Sequence, residues 1–509
     1  MALTKVIGEG IDGGTISTKT AGTGNLILGS TAGDSIASGG DNNTCVGTDA
    51  GTAITTGDRN TLVGATAGDE IVGAERNTAV GYGALHTETE GDRNTAVGVF
   101  ALSTQNTSGG GNVYNTGVGY GAGNAVTTGI QNTVVGALAG DASTVGNYNT
   151  AIGYSALSSD TQGSRSTAIG YSALYTQNFT SATTSYNTAV GYNAGGGITT
   201  GASNTMMGDS AGDAVTTGGL NVCIGTFAGS AFSTVSNNTF VGAFCGDAAT
   251  SGDNTGVGSG ALGGSLTGDQ NTAVGHDAGN SCTSGVDNVF IGHLAGNGST
   301  SADNSTMVGE QAGGGATLTG DGNTLIGRAA GYSLTSGGNN LLLGENAGRS
   351  TSPAGNQTSG SGTVCLGDDN ISDFFCADTS ISSSDSRDKT DITDFNIGLN
   401  WINDLRPVTY KWDKRTWYGT EEEPYGTPDG SKKKSKVHIG FVAQEVLKTE
   451  KANGFADSAD TMLTCNITED GQRYGMKYER LVPVLVNAIK ELSAKNDALE
   501  ARIKKLEDG

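Results

Sequence analysis

Residues 60–76 read NTLVGATAGDEIVGAER, and the next residues begin the same pattern again with NTAVG at 77–81. The pattern N-T-x-[VI]-G returns along the chain, and its final glycine recurs twenty times from Gly29 to Gly367, usually 17 residues apart. This period is too short for a repeat built of paired helices and is typical of one coil of a β-solenoid. The sequence therefore predicts a mostly β chain with a solenoid of about twenty 17-residue coils over residues 25–367.

The five residues of the motif N-T-x-[VI]-G have an apolar pattern of their own, and positions are numbered along this motif. The fourth residue is apolar in every copy, as at Val80 and Ile152, which predicts an inward-facing column. Alternation along a strand then places the second residue inward and the third outward. The third residue is nevertheless often apolar, as at Leu62 and Phe240. A soluble monomer would avoid such an exposed column, so we expect parallel chains to pack together on it, most simply as a homotrimer.

Composition divides the chain near residue 384. Only 8 of the 28 Lys and Arg lie in 1–383, against 29 of the 51 Asp and Glu, whereas all three Trp lie beyond residue 400. The acidic surface repels phosphate backbones, which argues against nucleic-acid binding. No secretory signal and no apolar run of membrane-spanning length is present, so we expect synthesis and assembly in a cytoplasm without membrane insertion.

Seven cysteines are scattered over the 509 residues without zinc spacing. We therefore expect plain buried thiols, no disulfide framework, no metal and no cofactor. Three of them, Cys45, Cys223 and Cys365, occupy the third position of the motif, and Cys245 replaces the alanine of a small A-G pair.

Two repeats have 21 residues, four more than the usual 17. Their insertions, in STQNTSGGGNVYNTG and YTQNFTSATTSYNTA, carry Tyr114, Phe179 and Tyr186 among small polar residues. Insertions in a solenoid emerge as loops on its surface. These aromatic residues are candidates for contact with a receptor or glycan, or they pack locally within tolerated loops.

Beyond Gly367 the repeat stops and four different motifs follow. They read SDSRDKTDI at 384–392, LNWINDLRPVTYKW at 399–412, HIGFVAQEV at 438–446 and YERLVPVLVNAIKEL at 478–492. In this order they resemble the endosialidase-type intramolecular chaperone domain at the C-termini of phage tail spikes and fibres. The repeat region is similar to the β-roll heads of trimeric bacterial adhesins and to tail-fibre shafts.

The resemblance implies that the chain cuts itself. Family members carry a cleavage motif S-D-x-R-x-K, and Ser384 and Lys389 would be its nucleophile and base. A serine hydroxyl attacks a carbonyl only when a base takes its proton, which an amine can do once burial lowers its pKa. Ser384 would attack the carbonyl of Ser383 and thereby separate 1–383 from 384–509, with no turnover of an external substrate.

Four other residues belong to the same motifs. Asp385 and Arg387 either form a structural ion pair or help to shape the cleavage site. His438 and Gln444 match the family's second motif, in which the histidine is either a catalytic helper or a satisfied core residue.

The last motif leads into a predicted helix with apolar residues at heptad spacing. Its a positions are Val482, Ile489, Asn496 and Ile503, and its d positions are Leu485, Leu492, Leu499 and Leu506. This seam predicts a parallel coiled coil. Ile at a, Leu at d and one Asn at a favour a dimer, whereas the family is trimeric, and we expect the trimer.

Together these patterns predict five segments. They are an N-terminal attachment segment (1–24), the solenoid (25–367), a linker to the cleavage site (368–383), a small α/β chaperone and autoprotease domain (384–477) and the coiled-coil helix (478–509).

The resulting hypothesis is a phage tail-fibre protein of the virion. Its partners would be two further copies of the chain, tail or baseplate proteins, and a host receptor or glycan. One alternative is a polysaccharide-degrading tailspike, although that chemistry needs paired carboxylates in a groove and most acids here stand singly in turns. A bacterial trimeric adhesin is a second alternative, and an ice-binding or calcium-binding solenoid is a third.

Overall fold

The structure is a computed structural model that describes residues 16–17, 20–371, 386–420, 423–468 and 471–509. The chain divides into two compact units, the first ending at Ser305 and the second beginning at Thr306. The repeat gives a β-solenoid of about 19 turns of roughly 17 residues each. A small α/β region with a C-terminal helix follows it in sequence. The predicted fold class of solenoid and α/β region is therefore confirmed.

In the first unit, the repeat pattern forms three-residue strands. They are Leu26–Leu28, Thr44–Val46, Thr61–Val63, Thr78–Val80, Thr95–Val97, Thr116–Val118, Thr133–Val135, Thr150–Ile152, Thr167–Ile169, Thr188–Val190, Thr205–Met207, Val222–Ile224, Thr239–Val241, Thr255–Val257, Thr272–Val274 and Val289–Ile291. Each pairs in parallel with the next and in the same register, so that Leu62 lies opposite Ala79. Equivalent residues of successive coils therefore form columns.

Shorter strands complete the first unit. Ile16–Ser17 pairs antiparallel with Leu26–Leu28. At the two insertions, Gly91–Asp92 pairs in parallel with Gly111–Asn112, and Gly163–Ser164 pairs in parallel with Thr183–Thr184. Part of each insertion thus joins the strand ladder.

A buried ladder of asparagines explains the first residue of the motif. Asn77 Nδ2 donates to the carbonyl oxygen of Gly91 at 2.9 Å, and Asn77 Oδ1 accepts from the backbone N–H of Asn94 at 2.8 Å. The backbone N–H of Asn77 in turn donates to Oδ1 of Asn60 at 2.9 Å. Each side chain therefore bridges neighbouring coils and satisfies backbone groups that water cannot reach.

The last residue of the motif is glycine for a steric reason. Gly64 has φ of +138°, and a Cβ placed there would lie 2.4 Å from the carbonyl oxygen of Gly81 in the next coil. Any side chain would therefore force the two coils apart.

The third residue of the motif, which is the middle residue of each strand, faces the interior. The predicted orientation, with the second and fourth residues inward, was therefore wrong. Leu62, Phe240 and Phe290 are each 0% exposed. The fourth position lies on the outside, where Ile152 is 36% and Met207 43% exposed in the single chain. The third position thus forms the core, and the fourth forms an apolar column on the surface.

The narrow interior explains why residues of such different sizes share the third position. Phe240 lies opposite Gly256 in the neighbouring strand. A Cβ on Gly256 would lie 3.1 Å from Cδ1 of Phe240, so the ring of Phe240 fits beside a residue that has no side chain.

The cysteines behave as packing residues. Six are free and buried: Cys45, Cys223, Cys245, Cys282, Cys365 and Cys465. Burial raises the pKa of Cys45, Cys223 and Cys245 to about 12. The prediction of buried thiols is confirmed for these six, while Cys376 lies outside the described residues.

The second unit begins with repeat strands at Thr306–Val308, Thr324–Ile326, Leu341–Leu343 and Val364–Leu366. Its helices are α1 (Leu399–Asp404), α2 (Ala443–Ala452) and α3 (Leu481–Glu507). Its other strands form two antiparallel pairs, Val408–Tyr410 with His438–Gly440 and Cys465–Ile467 with Tyr474–Met476. Short 3₁₀ turns occur at Ser386–Asp388, Arg415–Tyr418, Ala459–Thr461 and Tyr478–Arg480. Of the helices described, none combines the length and apolar character needed to cross a membrane.

Candidate functional site

The predicted cleavage site is described on one side only. Ser383, Ser384 and Asp385 lie outside the described residues. Arg387 lies in the short turn Ser386–Asp388, and both Arg387 and Lys389 are exposed. The pairing of the nucleophile with its base therefore stays a prediction.

The motifs at 399–412 and 438–446 meet in an antiparallel strand pair. His438 lies opposite Tyr410 in the paired strands, and the two rings stack with centroids 5.5 Å apart. Trp412 also contacts His438 in a T-shaped arrangement, with 6.3 Å between centroids. His438 is half-buried among these rings, which fits the packing role that the sequence left open for it.

The same motifs line a cavity of about 690 Å³. Its walls include Tyr410, Trp412 and Gln444, where Gln444 is the second residue of α2. The fourth motif contributes Tyr478, whose Oη accepts from the backbone N–H of Phe441 at 3.2 Å. Burial raises the pKa of Tyr410 above its usual value, and the neighbouring Tyr478 adds to the effect. Three stretches far apart in sequence thus line one cavity with polar and aromatic side chains.

A small buried core lies in the same C-terminal region as this cavity. Trp401 of α1 is 0% exposed and lies against the rings of Phe395 and Phe455, at 6.3 and 6.2 Å between centroids. Glu450 of α2 is also fully buried, and its Oε1 accepts from the backbone N–H of Thr464 at 2.7 Å. The carboxylate thereby joins α2 to the strand that begins at Cys465.

The C-terminal helix α3 has two different apolar faces. Leu481, Val484 and Ala488 are buried, and α3 packs against α1. The predicted a and d residues point elsewhere, since Ile489 is 66% and Leu492 56% exposed in the single chain. The other exposed members of this seam are Val482, Leu485, Leu499, Ile503 and Leu506. The predicted coiled-coil seam is thus an uncovered surface of the single chain.

Sequence reasoning missed an ion pair between the end of the repeat and the C-terminal region. Asp369, two residues after the last repeat glycine, is 6% exposed and is held by both terminal nitrogens of Arg473. The distances are 2.8 Å from Nη1 to Oδ1 and 2.6 Å from Nη2 to Oδ2. Nothing in the local sequence of either residue identifies the other, because 104 positions separate them.

The candidate receptor residues differ in exposure. Phe179 is buried, whereas Tyr114 is 47% and Tyr186 55% exposed. Each exposed tyrosine has an arginine over its ring: Arg93 lies 5.6 Å from the centroid of Tyr114, and Arg165 lies 5.8 Å from that of Tyr186. Phe179 therefore packs locally, and two arginine–tyrosine pairs remain on the surface.

The buried carboxylates beside the insertions have structural partners. Glu88 accepts from the backbone N–H of Gly91 at 2.7 Å and from Nε2 of Gln105 at 2.8 Å. Asp160 accepts from the backbone N–H of Gly163 at 3.0 Å and from Nε2 of Gln177 at 2.6 Å. Both insertions are thus supported by the same arrangement of a buried acid and a glutamine.

Comparison with known proteins concerns the C-terminal region. Residues 384–454 match the family model described as chaperone of endosialidase. The match begins at the predicted nucleophile, Ser384, and includes α1 and α2. No curated protein matches the chain significantly. The chain is therefore a β-solenoid protein with a C-terminal region similar to an intramolecular chaperone.

Proposed function

We propose that this chain is a virion tail-fibre protein whose C-terminal region assembles three copies of the solenoid and then cuts itself off. The observation that carries the proposal is the chaperone-of-endosialidase match at 384–454, which lies C-terminal to the repeat coils. Synthesis and assembly would take place in the cytoplasm of the host cell.

The solenoid itself supplies the need for a chaperone. Successive repeat strands are nearly identical, as in Thr78–Val80 and Thr95–Val97, which both read TAV. Strands of such similar sequence can pair out of register, and pairing over long sequence distances is slow. A C-terminal region that gathers the chains first would fix which coil meets which.

Two uncovered apolar surfaces support assembly of several chains. One is the seam of α3, in which Leu485 and Leu492 are exposed at d positions. The other is the fourth-position column of the solenoid, which includes Ile152, Met207 and Ile291, each at least 36% exposed in the single chain. Contiguous apolar surface of this kind is typical of an interface, and packing of parallel copies would cover both.

Release would proceed through an ester. The Ser384 hydroxyl attacks the carbonyl carbon of Ser383 while Lys389 takes the hydroxyl proton. The C–N bond of the peptide breaks, and the proton passes to the departing nitrogen. Water then hydrolyses the ester between the Ser383 carbonyl and the Ser384 oxygen, which leaves a carboxylate on Ser383 and restores the hydroxyl of Ser384.

Attachment and recognition complete the proposed role. The N-terminal segment 1–24 would dock onto tail or baseplate proteins. Tyr114 and Tyr186, each paired with an arginine on the surface, would contact a host receptor or glycan.

The tailspike alternative differs in a measurable way. Among the described residues, the buried acids Glu88 and Asp160 bond to backbone N–H groups and glutamines, which supports a structural role for them. We expect no release of reducing sugar from host capsule, whereas a tailspike would release it.

The chaperone role is tested by a chain that ends at Ser383. We expect the full chain to give a soluble trimer that resists dissociation, and the shortened chain to aggregate or to form mixed species. Sedimentation velocity on both preparations separates these outcomes. A shortened chain that forms the same trimer with the same yield would contradict the proposal.

A further inference from the structure

Two separate segments of the C-terminal region converge on Asp369 at the end of the repeat. Arg473 immediately precedes the strand Tyr474–Met476, whereas Lys414 and Thr416 follow the strand Val408–Tyr410. Lys414 Nζ donates to the backbone carbonyl of Asp369 at 3.2 Å and lies 3.7 Å from Oδ1. The hydroxyl of Thr416 donates to Oδ2. One buried carboxylate thus receives two cations and a hydroxyl.

The arginine extends the contact to the last turn of the repeat. Arg473 Nη1 donates to the carbonyl oxygen of Ser352 at 2.5 Å, and Nη2 donates to that of Ser350 at 2.7 Å. The next residues of this turn are also tightly packed, because a Cβ on Gly355 would lie 3.0 Å from Thr468. A planar guanidinium that meets a carboxylate and two carbonyls has little freedom to move.

The carboxylate of Asp369 stabilises the charged form of Arg473. Burial alone would lower the pKa of the Arg473 guanidinium, but the hydrogen bonds and charge of Asp369 raise it above its usual value. Arg473 is 16% and Asp369 6% exposed at the side chain. Bulk salt screens such a pair much less than it screens exposed charges, and removal of one partner leaves a buried charge unpaired.

The proposed cut falls between the two sides of this cluster. Asp369, Ser350 and Ser352 would stay with 1–383, while Arg473, Lys414 and Thr416 would leave with 384–509. Each contact named above is noncovalent and is independent of the peptide bond between Ser383 and Ser384.

We propose that Asp369 is the docking point for the C-terminal region on its own last coil, and that the cluster retains the fragment 384–509 after the backbone is cut. The biological use of this retention rests on the proposed self-cleavage. Retention by the cluster would divide release of the fragment into two steps. The cut in the backbone makes release possible, and loss of the Asp369 contacts completes the release.

The test uses a chain in which retention does not depend on self-cleavage. The full chain carries Ser384→Ala, a site for a sequence-specific protease between residues 372 and 383, and a C-terminal affinity tag. After complete cutting by the added protease, the fragments are captured by the tag, and the dissociation rate is followed on dilution.

We expect both fragments to co-elute and to separate slowly. Asp369→Asn keeps the shape of the side chain but removes its charge, and it should speed dissociation at least about 30-fold, since loss of a buried charged partner acts mainly on the off-rate. Asp368→Asn is the matched control, because Asp368 is half-buried and bonds to the backbone N–H of its near neighbour Asn370. It should dissociate like the parent.

Arg473→Lys provides a second variant if Asp369→Asn does not fold. It keeps the charge but loses the two-pronged contact, and it too should dissociate faster than the parent. Fragments that separate immediately after the cut would overturn the inference, as would equal dissociation rates for the Asp369, Arg473 and Asp368 variants. Failure of self-cleavage appears instead as an uncut natural chain and leaves this measurement unaffected.

Discussion

The side-chain oxygen of Asn77 lies 2.8 Å from the backbone nitrogen of Asn94, one coil further along the chain. The same relationship joins Asn132 to Asn149 at 2.9 Å and Asn204 to Asn221 at 3.0 Å. The amide ladder fixes the spacing of the coils from inside, where water is excluded.

Asn77→Ala should therefore open its coil. The change leaves the buried N–H of Asn94 without its acceptor, which should lower the free energy of local opening by about 1–3 kcal/mol. Hydrogen exchange of peptides covering residues 77–98 measures this loss. Asn112→Ala is the control at an exposed asparagine, and equal protection in the two variants would contradict the structural role of the ladder.

The orientation of the strands is tested by two phenylalanines. Phe290 is 0% exposed at the third position of the N-T-x-[VI]-G motif, whereas Phe227 is 38% exposed and stacks on Phe244. Phe290→Ala should cost about 3–5 kcal/mol in local stability because it leaves a cavity. Phe227→Ala should cost about 1 kcal/mol or less.

Urea-dependent hydrogen exchange at the strands Val289–Ile291 and Val222–Ile224 compares the two losses. The structure requires the larger loss at Phe290. A larger loss at Phe227 would show that the third position does not face the core.

The seam of α3 is tested by comparing two single variants, each with one new aspartate, at positions two residues apart. Leu492 is a d residue that is 56% exposed in the single chain, so Leu492→Asp would place a charge inside the proposed coiled coil and should reduce the assembly to smaller species. Ala494→Asp lies at an outward heptad position and should leave the assembly intact.

Both substitutions are made with Ser384→Ala, so that the helix stays attached, and native mass spectrometry reports the number of chains. Identical stoichiometry for the two variants would contradict assembly through this seam.

The sequence pattern was sufficient to predict the solenoid but not the direction of its side chains. The apolar character of residues such as Val80 suggested the interior, yet it is equally typical of an interface between chains. The burial of the third position decides the orientation, and the fit of Phe240 beside Gly256 is consistent with the limited space of a core. Both the solenoid and the α/β region were expected, because periodicity and motif order are local properties of the sequence.

The contact of Asp369 with Arg473 could not be predicted in this way. It depends on how a strand pair of the C-terminal region lies against the turn at Ser350–Ser352, and the sequence of either segment alone leaves that arrangement open. The meeting of His438 with Tyr410 is similar, since register in the strand pair decides it.

Intact mass analysis of the purified chain shows whether the bond between Ser383 and Ser384 is cut. We predict fragments of residues 1–383 and 384–509 for the natural chain, the same fragments for the control Ser386→Ala, and only the full-length chain for Ser384→Ala. A natural chain that keeps its full mass after assembly, or a Ser384→Ala chain cut at the same bond, would rule out self-cleavage by Ser384.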